Sequence, residues 1–309
     1  MATPAGTPTS SSTISNLVQT AYDQYVRMAL RSIPVMRAIA DVKPVQQAMP
    51  GSSVVFSIYS DLSAATSTLT ETSDVSSVAL GNPSQVTVTL NEYGSAVTTT
   101  KKLNLTSFND VDSALADIIA YNAADSIDQV VSGVLTAGTN VIYAGTATNT
   151  NGITSTMTMS VADLREAVTQ LRSNKALPRI GELYAAYLHP RQSADLRAES
   201  GTGGFQELTK YVERTPFVAG AVGVIEGAFV VETPRVPSAA NSGSVNVYKA
   251  IVAGREALAE AQAQDISTVI GPEIDALRRF RTIGWYYFGG FNRLREAALY
   301  RIESATSIN

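Results

Sequence analysis

The sequence predicts an α+β fold, in which one long helix and several separate strands share the chain. Apolar and polar side chains alternate at both ends of residues 51–100, which is the pattern of paired strands. An apolar stripe at helical spacing runs through residues 108–136. Short apolar runs at residues 183–190 and 245–254 indicate buried strands in the second half of the chain.

The composition is that of a folded chain with an acidic balance. With 309 residues and 45% hydrophobic content, the chain can bury a core in one large or two modest domains. The formal net charge of −4 argues against a protein built mainly to hold nucleic acid, which would carry a basic face. The absence of cysteine excludes disulfides, thiolate zinc sites and cysteine nucleophiles.

Neither a secretory signal nor a membrane span is expected. Residues 1–13 contain no basic region followed by an apolar one. The longest apolar run, residues 217–231, is shorter than the roughly 20 residues of a spanning helix and contains the charged Glu226. We interpret this run as buried strands and turns.

The first 50 residues predict an arm that carries a helix. Residues 1–13 are rich in Pro, Ser and Thr, and apolar residues then recur at helical spacing from Ile14 to Met28. Pro34 disfavours helical geometry at the residue before it, so the helix is expected to end at Ile33.

Residues 51–100 predict a long β-hairpin with a polar distal part. Serine and threonine supply 20 of these 50 positions, and no Lys or Arg occurs from Pro44 to Thr100. Such a hairpin has little core of its own, so it needs a surface to lie against. The apolar faces of its two strands are formed by Val54, Phe56 and Ile58 and by Val86, Val88 and Leu90.

Two capping boxes mark the helices that follow. Ser107 and Asp110 open a helix near residues 108–136, and Gly138 stands where its end is expected. Ser160 and Asp163 open a second helix, with Leu164, Val168 and Leu171 on one face. The apolar stripe of the long helix consists of Leu115, Ile119, Ala123, Ile127, Val130 and Val134.

The chain ends with a short predicted helix near residues 273–280 and aromatic strands over 282–304. The single tryptophan, Trp285, stands in a run of four consecutive aromatic residues close to the C-terminus. Chain termini usually fray, so aromatic residues concentrated here need an explanation.

The residues that could carry chemistry do not form a recognisable active site. His189 is the single histidine, it stands between a strand and a proline, and the chain contains no GxSxG elbow, so we interpret it as structural. Residues 201–204, GTGG, lack the lysine and Ser/Thr of a phosphate-binding loop and are interpreted as a mobile loop. Two carboxylate pairs could hold a hard cation, but solvation or pairing with a neighbouring chain is favoured for both: Asp110 with Asp112, and Asp125 with Asp128. We therefore predict no catalytic, cofactor-binding or metal-ligating residue.

Six arginines cluster towards the C-terminus, and two interpretations remain open for them. They form either a solvated charged face or a docking surface for the acidic hairpin of another subunit. The residues are Arg278, Arg279, Arg281, Arg293, Arg295 and Arg301.

The order of these segments resembles the major capsid proteins of tailed bacteriophages, which have the HK-ninety-seven-like fold. Within that group the sequence is most similar to the coat-protein family typified by the N-four-like phages. The likeness spans most of residues 50–304, although Tyr286 stands where the family often has lysine after tryptophan. The segments that carry it are YAAYLHPRQSADLRA (184–198), GAVGVIEGAFVVETPRV (220–236), VYKAIVAGREALAEA (247–261) and GPEIDALRRFRTIGWYYFGG (271–290).

The resemblance implies a division of the chain into five segments. Residues 1–50 would be an N-terminal arm, and residues 51–104 an extended hairpin loop that overlies a neighbouring subunit. Residues 105–159 would form the peripheral domain with its long spine helix, and residues 160–270 the axial domain. Residues 271–309 would return to the peripheral domain.

The resemblance also implies how the aromatic end of the chain packs. Residues 282–304 would lie under the spine helix, with Trp285 and Tyr287 facing that helix at a spacing of two.

The function implied by the resemblance is structural, without enzymatic activity or cofactor. Copies of the chain would assemble as hexamers and pentamers into an icosahedral head that encloses double-stranded DNA without sequence-specific binding. The expected partners are a portal and scaffolding or decoration proteins, and no membrane. The protein would be made and assembled in the host cytoplasm and end in the virion.

Two departures from other capsid proteins follow from the residues. Some capsids cross-link through a lysine in the extended loop, but residues 51–100 contain none, so no such cross-link is expected. About 50 residues before the hairpin leave little room for a fused scaffolding domain, so the scaffold is expected to be separate or absent.

Three other classes of protein remain as alternatives at this stage. An encapsulin-like shell would share the fold but hold protein cargo instead of DNA. A carbohydrate-acting or other hydrolytic enzyme is disfavoured by the missing catalytic groups. A surface-layer protein or adhesin would suit the Ser/Thr-rich stretch, but it should carry an export signal.

Overall fold

The computed structural model describes residues 31–44, 51–106, 111–200 and 223–308, except residues 73, 76 and 274. The helices are α1 (Lys101–Thr106), α2 (Val111–Thr136), α3 (Val161–Ser173) and α4 (Pro190–Ala198). The strands are β1 (Ala40–Pro44), β2 (Ser53–Ile58), β3 (Ser84–Thr89), β4 (Asn91–Thr100), β5 (Val141–Tyr143), β6 (Tyr184–Leu188), β7 (Val224–Ile225), β8 (Ala228–Glu232), β9 (Ser238–Ala240), β10 (Asn246–Ala253), β11 (Leu258–Ile270), β12 (Phe280–Arg293) and β13 (Leu299–Ser304).

These strands form two sheets and one separate hairpin. The four-stranded sheet has the order β1-β11-β12-β4, and β2 pairs with β3 alone. The seven-stranded sheet has the order β5-β13-β10-β6-β8-β7, with β9 added to β10. Helices and mixed sheets share the chain, as the α+β prediction requires.

Helix α2 packs on the four-stranded sheet through a continuous apolar row. Its buried side chains recur every four residues to the end of the helix: Leu115, Ile119, Ala123, Ile127, Val131 and Leu135. The sequence prediction is right as far as Ile127 and then names Val130 and Val134, which are only half-buried. A row of residues four apart is inclined to the helix axis, so the buried face turns gradually around the helix.

The seven-stranded sheet separates two hydrophobic cores. In β6, Ala185 and Tyr187 face the core that α2 shares, whereas Ala186 and Leu188 face the core under α3. Strand β10 divides in the same way between its two faces. Alternation at a spacing of two places successive side chains on opposite faces, which explains why these strands appear as uninterrupted apolar runs in the sequence.

Several predicted elements are confirmed by the structure. Strands β2 and β3 pair antiparallel, with Val54 opposite Val88 and Phe56 opposite Val86. The second capping box is present, since the Ser160 hydroxyl accepts from the amide of Asp163 and the Asp163 carboxylate accepts from the amide of Ser160. The predicted N-terminal helix lies outside the described residues except at residues 31–33, which are not helical, so its predicted end at Ile33 is wrong. The Ser107–Asp110 box and the loop 201–204 lie outside the described residues.

The short helix predicted near residues 273–280 is wrong. A turn over residues 275–278 joins β11 directly to β12, which pair antiparallel beginning with Ile270 opposite Ile283. Asp275 has a φ of 98° and Arg278 a φ of 51°, both in the left-handed half of the backbone map. An α-helix requires negative φ at every residue, so this segment reverses the chain instead.

The membership of the two sheets differs from the predicted chain segments for five strands. Strands β1 and β4 lie in the four-stranded sheet, although they belong to segments 1–50 and 51–104. Strand β11 lies in the four-stranded sheet, although it belongs to segment 160–270. Strands β5 and β13 pair with each other in the seven-stranded sheet, although they belong to segments 105–159 and 271–309. The physical reason is that β11 and β12 follow each other in the chain and pair locally. Strand β13 pairs with β10 on one side and β5 on the other, and it buries Leu299 in one core and Ile302 in the other.

Candidate functional site

The extended hairpin, defined as β2, β3 and the connecting residues 59–83, is anchored at its root. Val54, Val88 and Leu90 are buried there against Ala259 and Ala261 of β11. The side-chain amide of an asparagine on β12, Asn292, donates to the carbonyl of Thr87 on β3 at 2.8 Å. The root therefore has a small apolar core that fixes where the hairpin leaves the four-stranded sheet.

The connecting residues 59–83 present apolar side chains to the surroundings. They contain no regular helix or strand among their described residues. Five of their aliphatic side chains are more than half exposed: Leu62, Leu69, Val75, Val78 and Leu80. The same stretch contains three carboxylates and no cation. Several large apolar side chains exposed along one segment are typical of a protein interface.

The aromatic strand β12 attaches the end of the chain to α2, as predicted for Trp285 and Tyr287. The Trp285 ring nitrogen donates to the side-chain oxygen of Asn122 on α2 at 2.9 Å. Tyr287 is fully buried, and its hydroxyl donates to the Glu260 carboxylate at 2.9 Å. Burial and the neighbouring Glu260 charge raise the pKa of Tyr287 well above its usual range, so it stays a neutral donor.

Buried Glu260 also binds the segment that precedes β1. The Arg37 guanidinium donates to it at 2.6 Å and lies 5.5 Å from the centre of the Tyr287 ring. A buried carboxylate is stable only when it is paired and hydrogen-bonded, and Glu260 has both kinds of partner. The contact fixes residues 35–39 between α2 and the sheet.

The six C-terminal arginines do not form one surface. Arg293 donates to the carbonyl of Val134 at 3.0 Å, and Arg301 donates to the carbonyls of Thr136 and Gly138. These carbonyls belong to the last turn of α2 and the residues after it, where a helix leaves its acceptors without partners and favours positive charge. Both interpretations from the sequence are therefore wrong for these two side chains, which cap α2.

The other four arginines lie closer to the surface. Arg295 pairs with Glu256 at 2.6 Å. Arg278, Arg279 and Arg281 lie together at the turn between β11 and β12, where Arg279 also pairs with Asp275. Only these three remain candidates for the docking surface that the sequence suggested.

Asp128 is neither solvated nor available to a neighbouring chain, and Asp125, whose side chain is 25% exposed, is paired within its own chain, which corrects the sequence interpretation. Asp128 is 1% exposed, and its carboxylate accepts from Arg235 at 2.6 Å and from the amide of Met36 at 2.6 Å. The same guanidinium forms an ion pair with Asp125. The arginine occupies the position that a hard cation would need. The side chains of Asp110 and Asp112 lie outside the described part of the chain.

A family model described as phage capsid protein matches residues 11–308. The chain belongs to the phage capsid protein family. No curated protein sequence matches it significantly.

Solved capsid structures share the fold of this capsid protein at low sequence identity. The capsid of Ralstonia phage GP4 matches with a TM-score of 0.74 at 16% identity, covering 94% of this chain and 96% of that one. The capsid of Helicobacter pylori bacteriophage KHP30 matches with a TM-score of 0.73 at 15% identity, covering 94% and 97%. That of Cyanophage Pam1 matches with a TM-score of 0.71 at 14% identity, covering 96% and 98%. The fold is thus the HK-ninety-seven-like capsid fold that the sequence predicted.

The capsid protein is a structural protein of the virion and not an enzyme. Its single histidine has a structural position, at the N-terminus of α4. The Nδ1 atom of His189 accepts from the amide of Arg191 at 3.2 Å, and the ring lies 4.6 Å from that of Tyr248. Burial and the neighbouring Arg191 charge lower the pKa of His189, which keeps the ring neutral as a helix cap.

The described residues contain no group of three or more histidine and acidic side chains that could hold a metal ion. Within the same ranges, no helix is long and apolar enough to cross a membrane.

Sequence reasoning missed the two buried ionic clusters centred on Glu260 and Arg235. Glu260 stands in the strand LAEAQAQ, where its alternation with alanines is a weak signal for a side chain facing a core. Arg235 follows a proline in a loop, and nothing in the sequence indicates that it reaches α2.

Proposed function

We propose that copies of this capsid protein assemble as hexamers and pentamers into an icosahedral head that encloses phage double-stranded DNA. The observation that carries the proposal is the extended hairpin. It is fixed at its root, and its connecting residues expose apolar side chains such as Leu69 and Val78, each 76% exposed. A neighbouring subunit would cover these side chains, and many modest interfaces of this kind close a shell.

We assign the regions of the fold to roles in that shell. The four-stranded sheet with α2 is the peripheral domain, and the seven-stranded sheet with α3 and α4 is the axial domain around the five-fold and six-fold axes. Within residues 1–50 the part before β1 is the N-terminal arm, and within residues 51–104 the extended hairpin overlies a neighbouring subunit, whereas β1 and β4 belong to the sheet of the peripheral domain. This assignment moves β11 to the peripheral domain and β5 and β13 to the axial domain, following the sheets.

The other partners in the proposal follow from composition and family. A net charge of −4 suits a wall that encloses DNA without holding it tightly or reading its sequence. A portal, a separate scaffold or none, and decoration proteins complete the head. Synthesis and assembly take place in the host cytoplasm.

Negative-stain electron microscopy of the protein purified from its native source, with size-exclusion chromatography alongside, tests the proposal. Icosahedral shells, or rings of five and six subunits, are expected. Nuclease-resistant DNA inside the shells would separate a phage head from an encapsulin-like shell, which would contain a cargo protein. A monodisperse monomer under conditions that permit assembly would overturn the proposal.

A further inference from the structure

One end of the four-stranded sheet carries a concentration of positive charge. Strand β4 ends at Thr100 opposite Phe280, the first residue of β12. The amide of Lys101, at the start of α1, donates to the carbonyl of Arg279 at 2.8 Å. This contact brings the start of α1 beside the turn between β11 and β12. The basic end, as we define it, consists of Lys101, Lys102, Arg278, Arg279 and Arg281.

Two carboxylates of the described residues stand in the same stretch of the chain as the arginines of the basic end. Asp275 pairs with Arg279 at 2.6 Å, and Glu273 is a second, exposed carboxylate in the turn. Lys101, Lys102 and Arg278 are all exposed. Positive charge therefore predominates here, in a chain whose overall charge is −4.

Apolar side chains are exposed beside these charges. They come from the last residues of β11, from the turn and from the first residue of β12. Their exposed fractions are 48% for Val269, 58% for Ile270, 72% for Leu277 and 36% for Phe280. A surface that combines basic and aliphatic side chains fits a protein partner with acidic and aliphatic side chains.

The extended hairpin has that complementary composition. Its connecting residues carry Asp61, Glu71 and Asp74 without any lysine or arginine, and they expose aliphatic side chains between these carboxylates. Each surface supplies the charge and the apolar contact that the other lacks.

Within one chain the root of the extended hairpin and the basic end lie at opposite ends of the same strand. The root of the hairpin packs against β12 near Gly290 and Asn292, whereas the basic end surrounds Phe280. Ten residues of extended strand separate Gly290 from Phe280, which is about 33 Å at about 3.3 Å per residue. This separation makes a second copy of the chain the natural partner.

We propose that the basic end receives the connecting residues 59–83 of the extended hairpin from a neighbouring copy. The inference rests on the proposed function and specifies which surfaces meet in the shell. The apolar side chains supply the contact area, while the opposite charges select the partner surface and its orientation.

The observations favour a protein partner over DNA for this surface. The phosphates of DNA would pair with the lysines and arginines, but they would leave Leu277 and Ile270 without apolar contacts. Interfaces with DNA are polar and strongly basic, whereas the basic end mixes charge with aliphatic surface.

A charge exchange tests the proposal. The variant Lys102→Glu with Arg278→Glu and the variant Glu71→Lys with Asp74→Lys should each remain folded but lose shells and rings. The combined fourfold variant should recover them, because opposite charges again face each other. The matched control, Lys175→Glu with Arg255→Glu, changes two exposed cations elsewhere on the chain and should assemble like the unchanged protein.

The outcomes separate this proposal from the one on which it rests. Failure of the unchanged protein to assemble would overturn the proposed function itself. Normal shells from both charge-reversed variants, or no recovery in the fourfold variant, would overturn the pairing of hairpin and basic end while leaving the capsid role intact. Normal shells that lose only their nuclease-resistant DNA in the Lys102/Arg278 variant would assign the basic end to DNA instead.

Discussion

At the scale of single residues, the paired glycines of β12 set how closely the hairpin root and the sheet approach. A Cβ atom on Gly290 would overlap the carbonyl oxygen of Thr89, and one on Gly289 would overlap the hydroxyl of Tyr287. The first contact belongs to the root of the extended hairpin and the second to the buried Glu260 cluster. Two adjacent positions thus admit only glycine for separate reasons.

Replacing Gly290 with alanine should therefore destabilise the protein by about 1–3 kcal/mol, the usual cost of overpacking a close contact. The backbone of Thr89 cannot move without disturbing the paired strands β2 and β3. Urea unfolding of the soluble chain, followed by circular dichroism, measures the change.

The matched control is Gly133→Ala on α2. A Cβ atom there meets nothing within 4 Å, and alanine favours a helix over glycine by about 1 kcal/mol. The control should leave stability unchanged or raise it. Equal stability of the Gly290→Ala variant and the unchanged protein would contradict the close contact.

At the scale of elements, the end of α2 depends on side chains from the C-terminal strands. Arg293 and Arg301 donate to its last carbonyls, while Glu296 accepts from the amide of Thr139 and pairs with Arg293 at 2.7 Å. Burial alone would raise the pKa of Glu296, but the hydrogen bonds from Thr139 and Arg293 outweigh burial and lower that pKa. The helix end therefore contains a pH-dependent contact.

The contribution of Glu296 to stability should be lost in acid. A carboxyl group with a lowered folded-state pKa stabilises the fold above its ordinary value of 4.5, and this contribution disappears as pH falls through the folded-state value. The variant Glu296→Gln should have a lower melting temperature than the unchanged protein at pH 7, and the difference should shrink below pH 4.5. A difference independent of pH would rule out this linkage, and the exposed Glu273→Gln is the control.

The extended hairpin is an element whose root and connecting residues have separate roles. Replacing residues 59–83 with Asn-Gly would join Ile58 to Ser84, which already pair across the hairpin, through a two-residue turn. Because the connecting residues bury little surface, the melting temperature should stay within a few degrees. Shells and rings should disappear in electron micrographs. Normal shells from this variant would show that the connecting residues are not needed for assembly.

At the scale of the whole molecule, we expect no covalent bond between subunits of the shell from a lysine of the extended hairpin. No lysine occurs between Lys43 and Lys101, and the chain contains no cysteine. Assembly then depends on apolar contact and on charge pairs. Each charge pair at a solvated surface contributes only about 0–1 kcal/mol to the free energy of association.

Boiled, denatured particles should accordingly run as one band near 32.7 kDa on a denaturing gel. The unreduced sample should give the same band as the reduced one, since no disulfide can form. A ladder of multimers would contradict the prediction and point to a cross-link through another lysine.

The features that depend on local periodicity and capping could be predicted from the amino-acid sequence. The paired strands β2 and β3, the helix that begins after Ser160, and the buried strands β6 and β10 all follow from the spacing of apolar residues and from side chains next to their own backbone. The order of the elements, together with four segments that resemble known capsid proteins, predicted the capsid fold.

Contacts between residues that are far apart in the sequence could be identified only in the folded chain. The tertiary structure placed Arg235 on Asp125 and Asp128, Arg301 at the end of α2, and β13 in the larger sheet, because these contacts join residues more than 100 positions apart. A local pattern reports burial but not the partner that causes it, so the arginines appeared as one cluster in the sequence. Residues 275–278 form a turn instead of the predicted short helix for a related reason. Pairing of the long strands β11 and β12 outweighs the local helical preference of the residues that connect them.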